Sequence, residues 1–261
     1  MERGHAPGVS PPARASLVAA TAIDSFVITC EHGGNRIPAS YRALFRGKRA
    51  LLESHRGYDP GALAVARDLA RDFAAPLVAS TTSRLLVDLN RSIGHPRLFS
   101  EAIRASPAGL RAAIVERHYQ PYRAKIEGLV MRSVSRGRRV IHLSSHSFTP
   151  ELDGKVRRAD VGLLYDPGRR TEAALCDRWK VSLAALAPQL RVRRNYPYAG
   201  KGDGLTSHLR RQFPQASYVG IELEVNQAIV LAAGRRWTAL RRTLVDSFRA
   251  ACAPLSATGE P

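Results

Sequence analysis

The stretch SFVITCEHGGN, residues 25–35, decides the fold class of this chain. It opens with a largely apolar run of strand length, and an acid, a histidine and two glycines follow directly. Such a run, bounded by glycines, is typical of an interior strand in a sheet that is covered on both faces. Ionisable residues directly after the strand lie at its carboxyl end, where open α/β sheets bind ligands.

Short apolar runs alternate with stretches of helical periodicity along the rest of the chain. The pattern predicts strands over 25–30, 77–80, 84–89, 139–144, 161–165, 190–194 and 217–223. It predicts helices over 61–74, 107–135, 171–186, 205–212 and 235–252, and Pro121 must kink or interrupt the second of them. We therefore expect an α/β fold with a mixed, largely parallel sheet flanked by helices on both faces, in a phosphorylase/hydrolase-like arrangement.

No linker rich in Pro, Gly and Ser divides the 261 residues, so the chain is predicted to form a single domain over 21–253. Residues 1–20 begin with a segment rich in Pro, Gly and Arg, and we expect them to form a disordered extension. Residues 254–261 are similar in composition and are predicted to form a flexible tail.

The cysteines and the hydropathy of the chain predict a cytoplasmic location. Cys30, Cys176 and Cys252 are sparse and odd in number and form no CxxC pair, which argues against a disulfide framework. No apolar run reaches the roughly 18 residues that a membrane span needs, and the start of the chain lacks a signal-peptide core. We expect no membrane partner.

The formal charge of +18, from 40 basic and 22 acidic residues, has three explanations. A compositional bias toward Arg and Ala comes first, because the arginines are spread along the chain and imply no partner. Attraction of an anionic substrate comes second. Nucleic-acid binding comes third, because it needs a clustered basic face and the only candidate is the run RSVSRGRR at 132–139, which indicates a solvated helix end.

Polar residues stand at the ends of four predicted strands. They are Glu31, His32 and Asn35 after 25–30, Asn90 and Arg91 after 84–89, Ser145, His146 and Ser147 after 139–144, and Glu222 and Glu224 on the last strand. Two histidines and one carboxylate form a common catalytic zinc set that leaves one position open for water. The combination therefore indicates a metal-assisted hydrolase.

Each of these residues also has a purely structural explanation. His32 and His146 could be satisfied by backbone groups, and Arg91 could be an ordinary surface arginine. Asp59 precedes Pro60 and a predicted helix, so an N-cap explains it well. Glu222 has the strongest functional interpretation, because an unpaired carboxylate is costly to bury in an apolar strand.

Seven segments of the chain resemble the N-formylglutamate amidohydrolase family, whose fold is akin to that of zinc carboxypeptidases and aspartoacylases. They are CEHGGNRIP at 30–38, HRGYDPGA at 55–62, SRLLVDLNRS at 83–92, HYQPYR at 118–123, HLSSHSFTP at 142–150, NYPYAGKGDGLT at 195–206 and VGIELEVNQ at 219–227. They occur in the family's order over most of the chain, which is far more specific than any one motif.

The resemblance implies a metal centre and a general base. His32 and His146 match the family's metal-binding histidines. Asp59, the acid of the DPGA motif, is the natural carboxylate ligand, and Glu31 is the alternative. Glu222 matches the late-strand glutamate that accepts a proton from the attacking water. Zinc is the expected metal, although manganese, cobalt or iron could use the same ligands.

The resemblance also implies a binding site for an anionic substrate. Arg91 and Asn90 match a pair that grips the substrate carboxylate, which a guanidinium can bind through two hydrogen bonds. Arg84 either assists this pair or braces the chain beside it. Tyr198 and Thr206 belong to a Gly-rich loop that would close over the substrate.

The activity implied is hydrolysis of a small N-acyl amino acid, N-formyl-L-glutamate to formate and L-glutamate in histidine degradation. Glu224 departs from the family pattern, in which an arginine is expected there, and a second carboxylate would repel a dicarboxylate substrate. Another N-acyl amino acid or a small peptide is therefore the alternative substrate. A non-catalytic basic binding protein on the same fold is the alternative from another class. The sequence does not predict an oligomeric state.

Overall fold

A six-stranded sheet forms the centre of the computed structural model, which describes residues 24–253. Its strands, in spatial order, are β2 (Leu77–Ala79), β1 (Asp24–Cys30), β3 (Arg139–Phe148), β8 (Tyr218–Asn226), β6 (Val161–Leu164) and β7 (Val192–Arg194). Strands β6 and β8 pair antiparallel, and the other pairs are parallel. A separate hairpin joins β4 (Glu151–Leu152) to β5 (Lys155–Val156). The predicted mixed, largely parallel sheet in one domain is confirmed.

Helices cover both faces of this sheet, as predicted. In chain order they are α1 (Arg49–Glu53), α2 (Ala62–Asp72), α3 (Glu101–Arg104), α4 (Ala108–Ile114), α5 (Gln120–Val134), α6 (Arg170–Leu186), α7 (Leu205–Gln212), α8 (Gln227–Leu231) and α9 (Gly234–Cys252), with a 3-10 segment at Ala39–Phe45. Helices α2, α6 and α9 pack together on one face. Helices α5 and α7 lie on the other.

The predicted helix over 107–135 is built from three helical pieces. Between α4 and α5 the segment Val115–Tyr119 is a π-helical turn, and Pro121 lies in the first turn of α5. A proline has no backbone N–H to donate to the preceding turn, so the regular hydrogen-bond pattern changes just before it. The interruption predicted at Pro121 is therefore present as a change of helix type.

The predicted strand over 84–89 is wrong. This segment is a chain of turns, in which Leu86 N donates to Ser83 O at 3.0 Å and Asp88 N donates to Leu98 O at 2.8 Å. Its leucines and valine are buried in the core beneath α5 and α7. A short apolar run shows that a segment is buried but does not show which backbone partners it uses.

Strands β3 and β8 both run further than predicted. They end at Phe148 and Asn226, so His146 and Glu224 lie inside strands and not in the loops after them. The polar residues in this part of the chain break the apolar pattern, which is why the sequence suggested an earlier end. Paired β strands continue here because neighbouring backbone groups, not side chains, form the ladder.

The two faces of the central strands differ in character. Side chains alternate between faces along a strand. Leu143 and Leu223 belong to the apolar core beneath α2, α6 and α9. On the opposite face the strands start with Val140 and Tyr218 in the second core, and they become polar toward their carboxyl ends at His146. The polar end of that face is the floor of the candidate site.

Other predictions concern the cysteines, the membrane and the chain ends. Cys30, Cys176 and Cys252 are free thiols, as expected without a disulfide framework. Within residues 24–253, none of the helices has the length and apolar character needed to cross a membrane. The predicted extension 1–20 and tail 254–261 lie outside the described residues.

Candidate active site

Three buried side chains meet at the carboxyl ends of β1 and β3. His32 follows β1, Asp59 lies in the loop before α2, and His146 lies in β3. Nδ1 of His32 and Nδ1 of His146 face the same oxygen, Oδ2 of Asp59, at 3.3 and 2.9 Å. One potential ligand atom from each residue lies within 4.8 Å of the other two, which suits a shared metal ion. The structure thus brings together the three predicted ligands.

Two glycines let the chain turn sharply after β1. A Cβ atom on Gly33 would lie 2.9 Å from Ser80 O, and one on Gly34 would lie 2.8 Å from Thr81 O. Any side chain at these positions would push the turn away from the neighbouring backbone. The glycines therefore fix the place where His32 enters the cluster, and Asp59 N reinforces it by donating to His32 O at 2.9 Å.

The other nitrogen of each imidazole is held by a second carboxylate. Nε2 of His32 lies 2.7 Å from Asp88 Oδ1, and Nε2 of His146 lies 3.1 Å from Glu31 Oε2 and 2.9 Å from Ser144 Oγ, which itself donates to Glu31. Both rings therefore present Nδ1 to Asp59 and Nε2 to a buried carboxylate. Carboxylates in this position orient metal-binding histidines in many proteins.

Glu31 lies behind His146 and is held there by two hydroxyl groups. Ser144 Oγ donates to Glu31 Oε2 at 2.6 Å, and Tyr122 OH donates to Glu31 Oε1 at 3.0 Å. Glu31 is outside the group of three residues whose ligand atoms converge. The geometry thus favours Asp59 over Glu31 as the carboxylate ligand.

The helix-cap explanation of Asp59 is wrong. Helix α2 has Gly61 as its N-cap, and no side-chain cap is found for it within residues 24–253. The Asp59 carboxylate points instead to the two imidazoles, and Arg84 Nη1 lies 3.4 Å from its Oδ1. Backbone geometry at Gly61, with φ of 80°, starts the helix without the aspartate.

Arg84 and Asp88 brace the cluster from one side. Arg84 Nη2 and Nε donate to Asp88 Oδ2 at 2.7 and 3.2 Å. Arg84 also lines the cavity, so its position is compatible with both of its predicted roles. Asp88 was not singled out from the sequence, although an acid within the buried run LLVDL is a signal of the kind that pointed to Glu222.

Opposite charges keep the two aspartates ionised in spite of burial. Burial alone would raise the pKa of Asp59, but the imidazoles of His32 and His146 and the Arg84 guanidinium outweigh it and lower that pKa. The same balance, with Arg84 and His32 as partners, holds the pKa of Asp88 well below its usual range. Burial would lower the pKa of His146, yet its two carboxylate neighbours raise it well above the usual value.

Glu222 and Glu224 project from the same face of β8 toward the cluster. In the β3–β8 ladder Glu222 is the partner of Ser144, and Glu224 is the partner of His146. Thr206, which is buried at the start of α7, donates its hydroxyl to Glu222 Oε1 at 2.6 Å. Glu224 is buried, and its Oε2 has no hydrogen-bond partner within residues 24–253.

Asn90 and Arg91 lie at the wall of the cavity beside the cluster. Asn90 Oδ1 accepts a hydrogen bond from Leu205 N at 2.6 Å, and Asn90 Nδ2 lies 3.5 Å from His146 Nε2. Arg91 Nη1 donates to Asp203 O at 2.7 Å, whereas its buried Nε has no partner within the described residues. Both residues can still present donors to a ligand.

The cluster opens into a cavity of about 760 Å³. Its lining includes both glutamates of β8 and the guanidinium-bearing residues Arg56, Arg84, Arg91, Arg97 and Arg104. Tyr198 lies at the rim, where it is 46% exposed and its hydroxyl accepts a hydrogen bond from Arg157 at 3.0 Å. The volume is in the range of small-molecule sites, roughly 300–1,000 Å³.

A mixed α/β sheet with a buried His–Asp–His cluster at the floor of an open cavity is typical of hydrolases that use a divalent cation. The model of the N-formylglutamate amidohydrolase family matches residues 24–231. The chain therefore belongs to the N-formylglutamate amidohydrolase family and is a hydrolase of amides by that membership.

Two solved structures resemble this one along most of their length. The gene product Atu2144 from Agrobacterium tumefaciens has 29% sequence identity and a TM-score of 0.75, over 88% of this chain and 91% of that one. An N-formylglutamate amidohydrolase from Ralstonia eutropha JMP134 has 20% identity and a TM-score of 0.65, over 89% of this chain and 94% of that one. None of the curated proteins is a match for the chain.

The burial of Glu224 predicts a pH dependence of stability in chelator-treated protein. Burial, and to a lesser degree Asp59 and Glu222, raise the pKa of Glu224 to about 8, from an ordinary value of 4.5. The folded protein therefore binds a proton that the unfolded chain releases between these values. The stabilisation is complete below pH 4.5 and is lost as the pH rises through 8, by about 1.4 kcal/mol per pH unit.

Denaturant unfolding between pH 5 and 9 checks this prediction. We expect the Glu224→Gln variant to show a flatter pH profile of unfolding free energy than the unsubstituted protein, because glutamine does not titrate. Glu53→Gln, at an exposed position in α1, is the control and should leave the profile unchanged. Identical profiles for Glu224→Gln and the unsubstituted protein would contradict the prediction.

Proposed function

We propose that the chain is a metal-dependent amidohydrolase that cleaves an N-acyl amino acid, with N-formyl-L-glutamate as the substrate that its family suggests. One observation carries the proposal. The Nδ1 atoms of His32 and His146 converge on one oxygen of Asp59, while each Nε2 is held by its own buried carboxylate. This is the arrangement that a histidine ligand needs if Nδ1 is to bind a cation.

The charges around the cluster fit a divalent cation. Glu31, Asp59 and Asp88 are three buried carboxylates, and their pKa values are lowered by imidazole and guanidinium neighbours. In the metal-free protein the pKa of His146 is raised by its carboxylate neighbours, which favours a protonated imidazole there. A cation held by His32, Asp59 and His146 would take over that charge and release protons.

Zinc is the metal that this donor set favours, because two imidazoles and one carboxylate are common ligands of catalytic zinc. Manganese, cobalt and iron can use the same donors. When bound, such an ion polarises the amide carbonyl and lowers the pKa of water toward neutrality. The three side chains that would hold the ion line the cavity, so a substrate bound there would have access to it.

The side chains of the cavity supply the other steps of amide hydrolysis. Water must lose a proton as it attacks the carbonyl carbon, and the leaving amine must gain one as the C–N bond breaks. A carboxylate on β8 can accept the first proton and return it to the amine. The family resemblance implies this task for Glu222, whose Oε1 accepts a hydrogen bond from the Thr206 hydroxyl.

Glu224 is a second candidate for the same task. It pairs across the ladder with His146, one of the proposed ligands, whereas Glu222 pairs with Ser144. Its Oε2 is buried and has no partner within the described residues, and it lines the same cavity. Proton transfer requires a base within hydrogen-bond reach of the attacking water. Both glutamates line the cavity, so both are candidates.

Arg91 is proposed to hold the substrate carboxylate. Its Nη1 is anchored to Asp203 O, which fixes the guanidinium at the cavity wall, and its Nε is left without a partner in the described chain. Asn90 lies beside it, and Tyr198 and Arg84 also line the cavity. An anionic substrate gives the arginines of this cavity a function.

The biological setting follows from the substrate. Release of formate and glutamate from N-formyl-L-glutamate in the cytoplasm would place the enzyme in histidine degradation. This part of the proposal is supported by the family, and the solved structure from Ralstonia eutropha is described as an N-formylglutamate amidohydrolase.

Formate release tests the metal dependence directly. Purified protein is expected to hydrolyse N-formyl-L-glutamate, to lose this activity with a chelator and to regain it with zinc, at about one metal ion per chain. His146→Ala should lose both metal and activity. His208→Ala is the matched control, because His208 pairs with Glu127 away from the cluster.

The outcomes of this assay separate parts of the proposal. Bound metal without turnover of N-formyl-L-glutamate would keep the metal centre and move the substrate to another N-acyl amino acid. Turnover that survives the chelator and His146→Ala would refute the metal centre. Absence of both metal and turnover would favour a non-catalytic binding protein.

Two glutamine variants identify the base. We expect one of Glu222→Gln and Glu224→Gln to lower kcat by about 10²-fold or more while metal content is retained. Thr206→Val provides a second measurement, because it removes the hydrogen bond to Glu222. If Glu222 is the base, this variant should shift the pH profile of kcat, and if Glu224 is the base, it should not. Full activity in both glutamine variants would exclude both residues.

Glu31→Gln tests the orientation of His146. Loss of the carboxylate weakens the hold on Nε2, so we expect the affinity for zinc to fall by roughly 10- to 100-fold. Competition with a chromophoric chelator measures this affinity without reference to activity. Glu127→Gln, which removes the carboxylate partner of His208, is the matched control and should bind zinc normally. Equal affinities in the two variants would contradict the role of Glu31.

A further inference from the structure

A second cavity of about 690 Å³ adjoins the one that holds the His–Asp–His cluster. It lies between the loop after Arg91 and helix α4, and the π turn at Val115–Tyr119 contributes to its wall. Pro96, Phe99 and Arg104 line both cavities. The two cavities therefore share part of their walls, and we call the second one the side compartment.

The side compartment is mainly apolar. Ile93, Leu98 and Phe99 line it from the loop, and Val115 lines it from the π turn. Ile93 is 61% exposed, so part of this apolar lining is accessible to a ligand. Concave apolar surface with a few polar groups at its edge is characteristic of sites for small ligands.

The wall of the side compartment is tied to Arg91. Tyr119, the last residue of the π turn, donates its hydroxyl to Arg91 O at 2.7 Å. The lining loop continues directly from Arg91, so the proposed carboxylate anchor and the compartment belong to one local unit. Single π turns inside α-helices are frequent at functional sites. The side chain and the carboxylate of an amino acid are bonded to the same Cα atom, so a carboxylate held by Arg91 would bring the substrate side chain close to this loop.

We infer that the side compartment binds an apolar side chain of the N-acyl amino acid, so that the substrates include N-formyl derivatives of residues such as leucine and phenylalanine. This inference rests on the proposed function and names its substrate class. An apolar side chain can occupy the apolar part of the lining, whereas the second carboxylate of glutamate would depend on Arg104 and Arg111, the two arginines of that lining. Arg104 has Glu101 as a carboxylate neighbour at 3.9 Å, and Arg111 Nη1 donates to Arg104 O at 3.1 Å.

A panel of four substrates tests the inference on the metal-loaded full-length enzyme. The panel consists of the N-formyl derivatives of glycine, glutamate, leucine and phenylalanine. We expect kcat/KM for the leucine or phenylalanine derivative to exceed that for the glycine and glutamate derivatives by about tenfold or more, since each buried methylene contributes to discrimination. A preference for N-formylglutamate that is lost in Arg104→Ala would overturn the inference.

A variant in which a large side chain fills the side compartment provides a second test. Ala112 lines the side compartment from α4, and Ala108 is an exposed residue of the same helix outside the lining. In Ala112→Trp the ratio of kcat/KM for the leucine derivative over the glycine derivative should fall to near one. Ala108→Trp is the matched control and should keep the ratio. An unchanged ratio in Ala112→Trp would overturn the inference.

Calorimetric binding separates failure of the inference from failure of the proposed function. Tight binding of N-formylleucine relative to N-formylglycine without hydrolysis, abolished in Ala112→Trp, would support the compartment and refute the hydrolytic function. Hydrolysis of all four derivatives at similar rates would support the function and refute the compartment. Absence of both binding and hydrolysis would refute both.

Discussion

The ionised carboxylate of Asp59, buried between two imidazoles, is the interaction on which the cavity floor depends. An isolated carboxylate would be very unfavourable at this depth, so the surrounding chain must supply compensating charge. The glycine turn brings His32 to it, strand β3 brings His146, and a segment without regular structure brings Arg84. Three distant parts of the sequence are thus fixed relative to one another by one charge.

The spacing of apolar residues in the sequence was sufficient to predict the fold class but not every strand. Alternating runs gave the α/β class and the covered sheet, because burial on both faces leaves a continuous apolar pattern. The same reasoning failed at 84–89, where buried leucines belong to turns. It also ended β3 and β8 too early, since polar side chains toward one face conceal strands whose backbones are still paired.

The residues of the candidate site that belong to family motifs could be predicted from the sequence. His32, Asp59 and His146 came from the family resemblance, and the structure brings them together. The role of Asp88 could not be found, because its partner lies 56 residues away and only folding makes them neighbours. The sequence also could not show which way the Glu31 side chain points. Its carboxylate lies at Nε2 of His146, whereas the converging ligand atoms lie at Nδ1 of that ring.

The register of β8 against β3 determines whether Glu222 and Glu224 face the candidate site. Opposite faces of these strands carry opposite chemistry, and a shift of β8 by a single residue would turn Glu222 and Glu224 into the apolar core beneath α2, α6 and α9. The burial energy of Leu223 and its neighbours therefore also disfavours a one-residue misalignment of the sheet. Packing of the apolar face of β3 and β8 thus selects the alignment that places the polar residues of the opposite face in the site.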